Sequence, residues 1–258
     1  MKGTLTILGS GTSQGVPVIA CDCEVCQSKN QKDKRTRTSV LIHINGENHV
    51  VDSGPDFRVQ MLRENIKSLK SVIFTHEHKD HIAGLDDIRP FNYLEKRDMN
   101  VYASDRVEEA LLREYHYIFT KDKYPGIPNV NLTIFDNNKF LIDENIEIEP
   151  IKVLHYKLPV FGFRIGDITY ITDAKTISPE EKEKVKGSET IIINALRREP
   201  HLSHFNLDEA LEFIKEMNPK RAYLTHISHL FGKHDEIEKE LPNNVFMAFD
   251  GMKLDFTY

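Results

Sequence analysis

The chain has 258 residues, of which 40% are hydrophobic and 29% are charged, and its formal net charge at pH 7 is -6. This composition is typical of a folded protein and excludes a disordered or a membrane chain. The negative charge and the lack of a dense run of lysine or arginine disfavour binding to a long nucleic acid. We expect a single domain over residues 1–258, located in the cytoplasm, with no signal peptide and no membrane span.

The first part of the sequence predicts an antiparallel meander followed by alternating helices and strands. Short apolar runs predict strands at 4–8, 38–44 and 47–52, with Asn45-Gly46 as the tight turn of a hairpin between the last two. A helix is expected at 55–66, and the strand 71–75 ends at a histidine cluster. Two further helices are predicted, at 80–95 and at 105–117, the second with Asp105 as its N-cap.

The rest of the sequence continues this alternation. The irregular stretch 117–130 is expected to be a long loop, either functional or a packing or dimer contact. Blocks of strands that alternate with helices predict an α/β fold, a four-layer αββα sandwich of two packed sheets with helices outside. The remaining predicted strands are 99–103, 131–136, 146–154, 159–166, 167–173, 189–194, 220–225 and two at the end, and the remaining helices are 206–217 and 234–240.

The segment that follows the strand 71–75 gives the strongest functional signal. His76, His78, Asp80 and His81 are four potential metal ligands within six residues. On an extended segment His76 and His78 point the same way, whereas Asp80 and His81 lie where the chain turns into a helix and can face a second ion. The sequence therefore predicts two neighbouring metal ions.

The pattern His-x-His-x-Asp-His after an apolar strand resembles the signature of the metallo-β-lactamase superfamily. By that resemblance Asp52 orients a ligand histidine from outside the metal shell, and His155, Asp173 and His226 are further ligands, with Asp173 bridging the two ions. The resemblance implies a hydrolase with two catalytic divalent cations, Zn or Mn, with Fe(II) equally compatible with these ligands. A hydroxide that bridges the two ions would attack the substrate.

The three cysteines form a second candidate metal site. Cys21, Cys23 and Cys26 fall within six residues, which does not suit a disulfide scaffold, because such short loops constrain little chain. Three thiolates instead predict one structural zinc, and His229, three residues after His226, is the candidate fourth ligand. Reduced cysteines without metal, or a redox pair at Cys23 and Cys26, are the alternatives.

The cysteine and histidine motifs together resemble a narrower family, the PhnP-type cyclic phosphate phosphodiesterases. Residues 11–17, 225–229 and 249–252 also match that family, so the resemblance covers nearly the whole chain. It implies a binuclear metal-dependent phosphodiesterase that hydrolyses a small phosphodiester or cyclic phosphate, and it suggests a homodimer.

The family also uses a histidine beside the scissile phosphate. His204 is the best match and would protonate the departing alkoxide as a general acid, while His201 is the rival. A helix-capping or surface role is the alternative for either histidine. The predicted catalytic residues are thus His204 and Asp80, with Asp80 serving also as a metal ligand.

The segment 84–89 departs from the best-known members of that family, which weakens the transfer of their ribose cyclic phosphate substrate to this chain. Arg89 either reaches a phosphate or forms an ion pair with Asp86 or Asp87. Two other functions are open. One is tRNase Z-like RNA 3′ processing, which the negative charge and the lack of a basic Gly-rich arm oppose. The other is non-catalytic metal binding or redox sensing by the cysteines.

Overall fold

The computed structural model describes residues 1–120, 124–142 and 145–258, and within these ranges the strands form two mixed sheets. The first contains β1 (Lys2–Gly9), β2 (Ser39–Ile44), β3 (Glu47–Val51), β4 (Ser71–Ile73), β5 (Met99–Ala103), β6 (Val130–Ile134) and β15 (Lys253–Thr257), in the order β15-β1-β2-β3-β4-β5-β6. The second contains β7 (Phe140–Ile142), β8 (Ile146–His155), β9 (Leu158–Ile165), β10 (Ile168–Ile171), β11 (Thr176–Ile177), β12 (Thr190–Asn194), β13 (Arg221–Thr225) and β14 (Val245–Met247). Its order is β11-β8-β9-β10-β12-β13-β14, with β7 paired to β8.

Helices cover the outer face of each sheet, and three separate apolar cores result. One core lies between the two sheets, the second lies between the first sheet and its helices, and the third lies between the second sheet and its helices. The predicted four-layer αββα sandwich is therefore confirmed. The helices are α1 (Phe57–Arg63), α2 (Lys79–Ile82), α3 (Arg89–Glu95), α4 (Asp105–Glu114) and α5 (His116–Phe119) on the first sheet, and α6 (Pro179–Val185), α7 (Leu207–Met217) and α8 (His234–Ile237) on the second.

Local sequence signals explain several of these elements. Asn45 and Gly46 have φ values of 52° and 79°, the pair of positive values that a two-residue type I′ hairpin turn requires. Asn206 caps α7 by a capping box with Glu209. Among the helices of the described residues, none is both long and apolar enough to cross a membrane.

The predicted helix over 80–95 was wrong as a continuous element. The chain forms α2, then a 3₁₀ turn at Leu85–Ile88, then α3. The break comes at Gly84, whose N–H donates to the carbonyl of Ser53 at 2.7 Å and so leaves the helix. Ser104, not Asp105, occupies the N-cap position of α4.

Three short elements escaped the sequence analysis. The strands β7 and β11 have only three and two residues, too few to show a period. The helix α6 could have been found, because Ser178 caps it and Pro179 stands in its first turn. Residues 121–123 of the predicted loop 117–130 lie outside the described residues, and the single-domain organisation stays a prediction.

The segment 10–36, which carries the cysteines, has almost no regular structure, and buried polar contacts attach it to the end of the chain. The Arg35 guanidinium donates to Ser10 Oγ at 2.9 Å and lies 3.2 Å from Nδ1 of His234. Asp33 accepts the N–H of His234 at 2.7 Å, and Glu238 lies 2.8 Å from its Nε2. Burial and the adjacent Arg35 lower the pKa of His234 to about 4.

Because the pKa of His234 is depressed on folding, the unfolded chain binds a proton there between about pH 6.5 and pH 4 that the folded chain does not. We expect the unfolding free energy to fall by up to about 3 kcal/mol from this group as the pH drops through that range. His234→Gln removes this contribution. Denaturant unfolding at pH 7 and pH 5 should show a smaller pH difference for the variant, and parallel pH profiles would contradict the assignment.

Candidate metal centres

The candidate site lies where strand ends from both sheets meet at one edge of the sandwich. In the first sheet β3 and β4 are parallel. In the second, β10, β12 and β13 are parallel, and β8 points the same way because both β8 and β10 are antiparallel to β9. Carboxyl ends of parallel strands share an edge, so the polar residues there converge. These residues are Asp52, the segment 75–81, His155, Asp173 and His226.

Three of these residues hold a left-handed backbone conformation although none is a glycine. The φ values are 66° for Asp52, 58° for Asp173 and 57° for His226. Such a conformation costs about 1 kcal/mol or more per residue and is concentrated at functional sites. Each of these residues follows a strand, and Asp173 and His226 contact each other while Asp52 contacts His81.

A buried carboxylate holds the histidine segment in place. Asp52 Oδ2 accepts from His81 Nδ1 at 2.7 Å, and the two Asp52 oxygens also accept the N–H and Oγ1 of Thr75 at 2.9 and 2.8 Å. Because Nδ1 of His81 is engaged by Asp52, its Nε2 is the atom that faces the cluster.

Three carboxylates act on His81. Burial opposes a charge on His81, but the carboxylates of Asp52, Asp80 and Asp173 outweigh burial and hold the pKa of His81 well above its ordinary value. The raised pKa favours a second proton on His81, on the Nε2 that faces the cluster. A divalent cation bound there would displace this proton.

Asp173 occupies the centre of the cluster. Its Oδ2 lies 3.4 Å from Nε2 of His81, and its Oδ1 lies 3.1 Å from Nε2 of His226. One carboxylate can therefore serve two ions. Within this cluster the potential ligand atoms form three groups, and the atoms of each group lie within 4.8 Å of one another: His76, His81 and Asp173; Asp80, His81 and His226; and His155, Asp173 and His204.

Several buried ring nitrogens of the cluster lack a hydrogen-bond partner. These are Nε2 of His76, Nε2 of His81, Nδ1 of His204 and both ring nitrogens of His226. An unpaired buried polar atom costs about 1 to 3 kcal/mol, and several at one place require an explanation. Imidazole nitrogens and carboxylate oxygens are the donor set of Zn(II) and similar ions, so these residues fit divalent cations.

His155 and His78 lie on the outer side of the cluster. The Nδ1 of His155 donates to the carbonyl of Ser203 at 2.8 Å, which leaves Nε2 free for a ligand role. The ring of His78 lies 4.6 Å from that of His76 and 5.3 Å from that of His155, centroid to centroid. His78 is exposed and belongs to none of the compact donor groups, so it lies at the mouth of the site.

His204 lies within the cluster, although the sequence analysis placed it outside the ligand set. Its ring stands 4.4 Å from that of His155 and 4.7 Å from that of His226, and its Nδ1 is 3.7 Å from Asp173 Oδ1. Burial, reinforced by His226, lowers the pKa of His204 to about 2. His201 lies one ring further out, 5.2 Å from His204.

The three cysteines and His229 converge on one point. Nδ1 of His229 lies 3.3, 3.4 and 3.6 Å from the sulfurs of Cys21, Cys23 and Cys26. The N–H of Cys26 donates to Sγ of Cys23, which lowers the pKa of Cys23 to about 6. The buried apolar cluster of the segment 10–36 consists of Val16, Val25 and Cys26. Such a small core stabilises a segment little, and a metal ion bound by the cysteines and His229 would add a cross-link.

Sequence reasoning missed residues that position the site. The side chain of Asn194 holds the backbone that follows Asp173. It accepts a hydrogen bond from the N–H of Ala174 at 2.7 Å and donates one to the carbonyl of Ala174 at 2.9 Å. A side chain at Gly54 would lie 2.0 Å from the carbonyl oxygen of Asp80, so glycine is required for that approach. Asn194 could have been noticed, because it is a polar residue at the end of an otherwise apolar strand. The approach at Gly54 is a tertiary contact that no local pattern reveals.

Of the two roles considered for Arg89, the structure shows the ion pair. Its guanidinium pairs with Asp86, which also accepts the hydroxyl of Tyr117. This ion pair joins the 3₁₀ turn Leu85–Ile88 to the first residue of α3 and does not involve the cluster residues.

Residues 47–227 match the family model described as the Beta-lactamase superfamily domain. A crystal structure of a diphosphatase from the PhnP family superposes with a TM-score of 0.93 at 36% identity, covering 99% of this chain and 98% of that one. The chain is 39% identical over 96% of its length to an octanoyltransferase of Porphyromonas gingivalis, covering 50% of that protein. It is 24% identical over 61% of its length to a ribonuclease Z of Prochlorococcus marinus, covering 48% of that protein. The chain thus spans about half the length of these two curated relatives.

The role of Asp52 can be tested without metal. Asp52→Asn replaces one carboxylate oxygen with an NH2 group, which cannot accept a hydrogen bond from His81 or Thr75. The substitution also removes the negative charge from this buried contact. We expect the unfolding free energy of the chelated protein to fall by about 3 kcal/mol. Denaturant unfolding measures the effect, with Asp98→Asn as the control because Asp98 is exposed. Equal effects of the two substitutions would show that the buried contact contributes little.

Proposed function

The chain belongs to the beta-lactamase superfamily, and on this premise we propose that it is a binuclear metal-dependent phosphodiesterase for a small, open or cyclic, phosphodiester. A hydrolase of the metallo-β-lactamase fold is the broader class. The observation that carries the proposal is the position of Asp173, whose two oxygens face different histidines.

The proposed ligands divide into two sets that share Asp173. His76, His78 and His155 would hold one cation, and Asp80, His81 and His226 the other. When bound, two divalent cations, Zn or Mn, supply a hydroxide near neutral pH and stabilise the attacking and leaving oxygens. The Cys21, Cys23, Cys26 and His229 set would hold one structural zinc.

The protein residues around the ions have separate tasks. Asp52 fixes the ring orientation of His81. Asp80, which is partly exposed, would orient the attacking water while it binds its ion. His204, rather than the more distant His201, is the proposed general acid that would return a proton to the leaving-group oxygen. Because its pKa is lowered to about 2, this role requires that the anionic phosphate of a bound substrate raise that pKa.

Similarity to a PhnP-family diphosphatase over nearly the whole of both chains supports phosphate ester chemistry. Similarity to an octanoyltransferase does not oppose the proposal. Half of that relative has no counterpart in this chain, and the transferase activity can lie in that half. The homodimer that the narrower family suggests stays a prediction.

Two other functions remain as outcomes of the tests. Processing of RNA 3′ ends has the ribonuclease Z relatives in its favour, but the net charge of -6 opposes binding to a polyanion. A non-catalytic sensor would use the cysteine cluster and leave the histidine cluster without a role.

The central prediction is hydrolysis of bis-p-nitrophenyl phosphate or a 2′,3′-cyclic nucleotide by protein loaded with Mn(II) or Zn(II). His76→Ala should reduce kcat/KM at least about 100-fold, because even losing an outer partner of a metal ligand costs about 10- to 100-fold. His43→Ala, an exposed histidine on β2, is the matched control. Precursor tRNA is assayed in parallel. Cleavage of the tRNA alone would favour the nuclease, and no hydrolysis with either metal would overturn the proposal.

The cysteine site has its own test. Cys26→Ser should lower the zinc content by about one ion per chain and should make the segment 10–36 more sensitive to proteases, since its apolar cluster is small. Metal analysis and limited proteolysis report this independently of activity, with His43→Ala again as the control. Unchanged zinc content would remove the structural site from the proposal, and a single ion lost on oxidation would favour the sensor.

A further inference from the structure

A cavity opens beside the candidate metal centre, on the outer side of the cluster. That cavity measures about 520 Å³ and reaches the cluster through His78 and His155. No aspartate or glutamate is among its lining residues in the described part of the chain. The residues that line it are His78, Arg106, His155, Tyr156, Lys157, Leu158, Pro159, Leu202 and Ser203.

The hairpin turn at the mouth of this cavity contains an unexpected residue. β8 and β9 are joined by two residues, Tyr156 and Lys157, since His155 pairs with Leu158. Tyr156 has a φ of 58°, whereas Lys157 is not among the residues with positive φ. Positive φ at the first turn position alone is the pattern of a type II′ turn, which favours glycine there. A tyrosine at this position strains the backbone, and such strain points to a use for the side chain.

The tyrosine ring is available to a ligand. Tyr156 is 50% exposed, although it directly follows the candidate ligand His155. The Lys157 ammonium lies 5.3 Å from the centroid of the ring. An exposed aromatic face next to a cation can stack on a planar base while the cation contacts a phosphate.

A second cation faces the cavity from the other sheet. Arg106, on α4, is held by Glu77, whose Oε1 accepts from its NH2 at 2.6 Å and its Nε at 3.1 Å. The Arg106 side chain is still 56% exposed. Arg106 and Lys157 thus place two positive charges in the lining, with Glu77 as the one carboxylate that contacts either of them in the described residues.

We propose that this cavity binds the leaving part of a nucleoside diphosphate ester, with the base on Tyr156 and the phosphate next to the scissile one between Arg106 and Lys157. The proposal rests on the phosphodiesterase function and names a substrate class for it. Glu77 pairs with Arg106 and can balance only one of the two positive charges. A monophosphate diester has no further anionic group for them, whereas a diphosphate supplies one.

The reaction balances with water as the only co-reactant. The oxygen of water bonds to one phosphorus, and the bond from that phosphorus to the bridging oxygen breaks. The bridging oxygen keeps the electron pair and leaves as part of a nucleoside monophosphate in the cavity. The products are two phosphate monoesters, and the protons of water pass to the products or to solvent. Arg106 and Lys157 neutralise the charge that develops on the leaving phosphate.

Equilibrium binding of ADP, AMP, adenosine and inorganic pyrophosphate to the metal-loaded protein tests the cation pair. Because the phosphate of AMP is the group placed between Arg106 and Lys157, we expect AMP to bind about tenfold more tightly than adenosine, a difference of about 1.4 kcal/mol. Lys157→Ala and Arg106→Ala should each reduce the AMP-to-adenosine ratio of affinities. Lys215→Ala, an exposed lysine on α7 away from the cavity, should leave the ratio unchanged. Equal affinity for AMP and adenosine, or equal effects of all three substitutions, would overturn the proposal.

Tyr156 is tested by its effect on the base. Tyr156→Gly should weaken ADP about tenfold while leaving pyrophosphate unchanged, and Tyr156→Phe should retain the affinity. Thermal unfolding should show no loss of stability for Tyr156→Gly, because glycine relieves the positive φ. Loss of ADP and pyrophosphate binding together would contradict a stacking role. A protein that hydrolyses bis-p-nitrophenyl phosphate but binds AMP and adenosine equally would contradict the cavity assignment alone. A protein that prefers AMP over adenosine but hydrolyses no phosphodiester would contradict the proposed function.

Discussion

The contact between Asp52 and His81 determines how the candidate centre is built. A fully buried carboxylate can be kept only if its oxygens are engaged, and Asp52 engages His81 together with the N–H and hydroxyl of Thr75. These bonds tie the end of β3 to the segment after β4. Through them the first sheet presents its histidines in a fixed orientation, opposite Asp173 and His226 of the second sheet.

The division of work between the two sheets follows from this arrangement. The first sheet provides His76, His78, Asp80 and His81 on one continuous segment, whereas the second provides single residues from several strand ends. A hydrogen bond also joins the two sheets at this edge: the N–H of Phe161 donates to the carbonyl of Thr75 at 3.1 Å. This bond fixes the distance between the sheets there. Distances across the centre therefore depend on the packing of the two sheets, and the apolar core between them keeps the ligand atoms close.

Much of the fold and of the donor series could be predicted because it depends on local patterns. Apolar runs with polar ends mark the strands, and histidines at such ends, such as His76 and His226, are visible without coordinates. The break at Gly84 was not predicted, since it depends on a contact with Ser53, which is distant in sequence. His204 was expected at the site, but its approach to His226 also depends on residues distant in sequence and could not be predicted. The turn at Tyr156 was also missed, because a tyrosine there contradicts the usual turn chemistry.

The five residues Thr225–His229 belong to both metal centres, because His226 faces Asp173 and His229 faces the cysteines. Their backbone pairs with the segment after β1: the N–H of Ile227 donates to the carbonyl of Ser10, and the N–H of Thr12 donates to that of Ile227. The two partners lie more than 200 residues apart in sequence, as the separation of 203 between Cys26 and His229 illustrates. Contacts of such long range form slowly, because a long loop must be closed first. On a growing polypeptide, neither centre can be completed until β13 has left the ribosome, and until then the histidines and thiols that emerge early remain open to the metal ions of their surroundings.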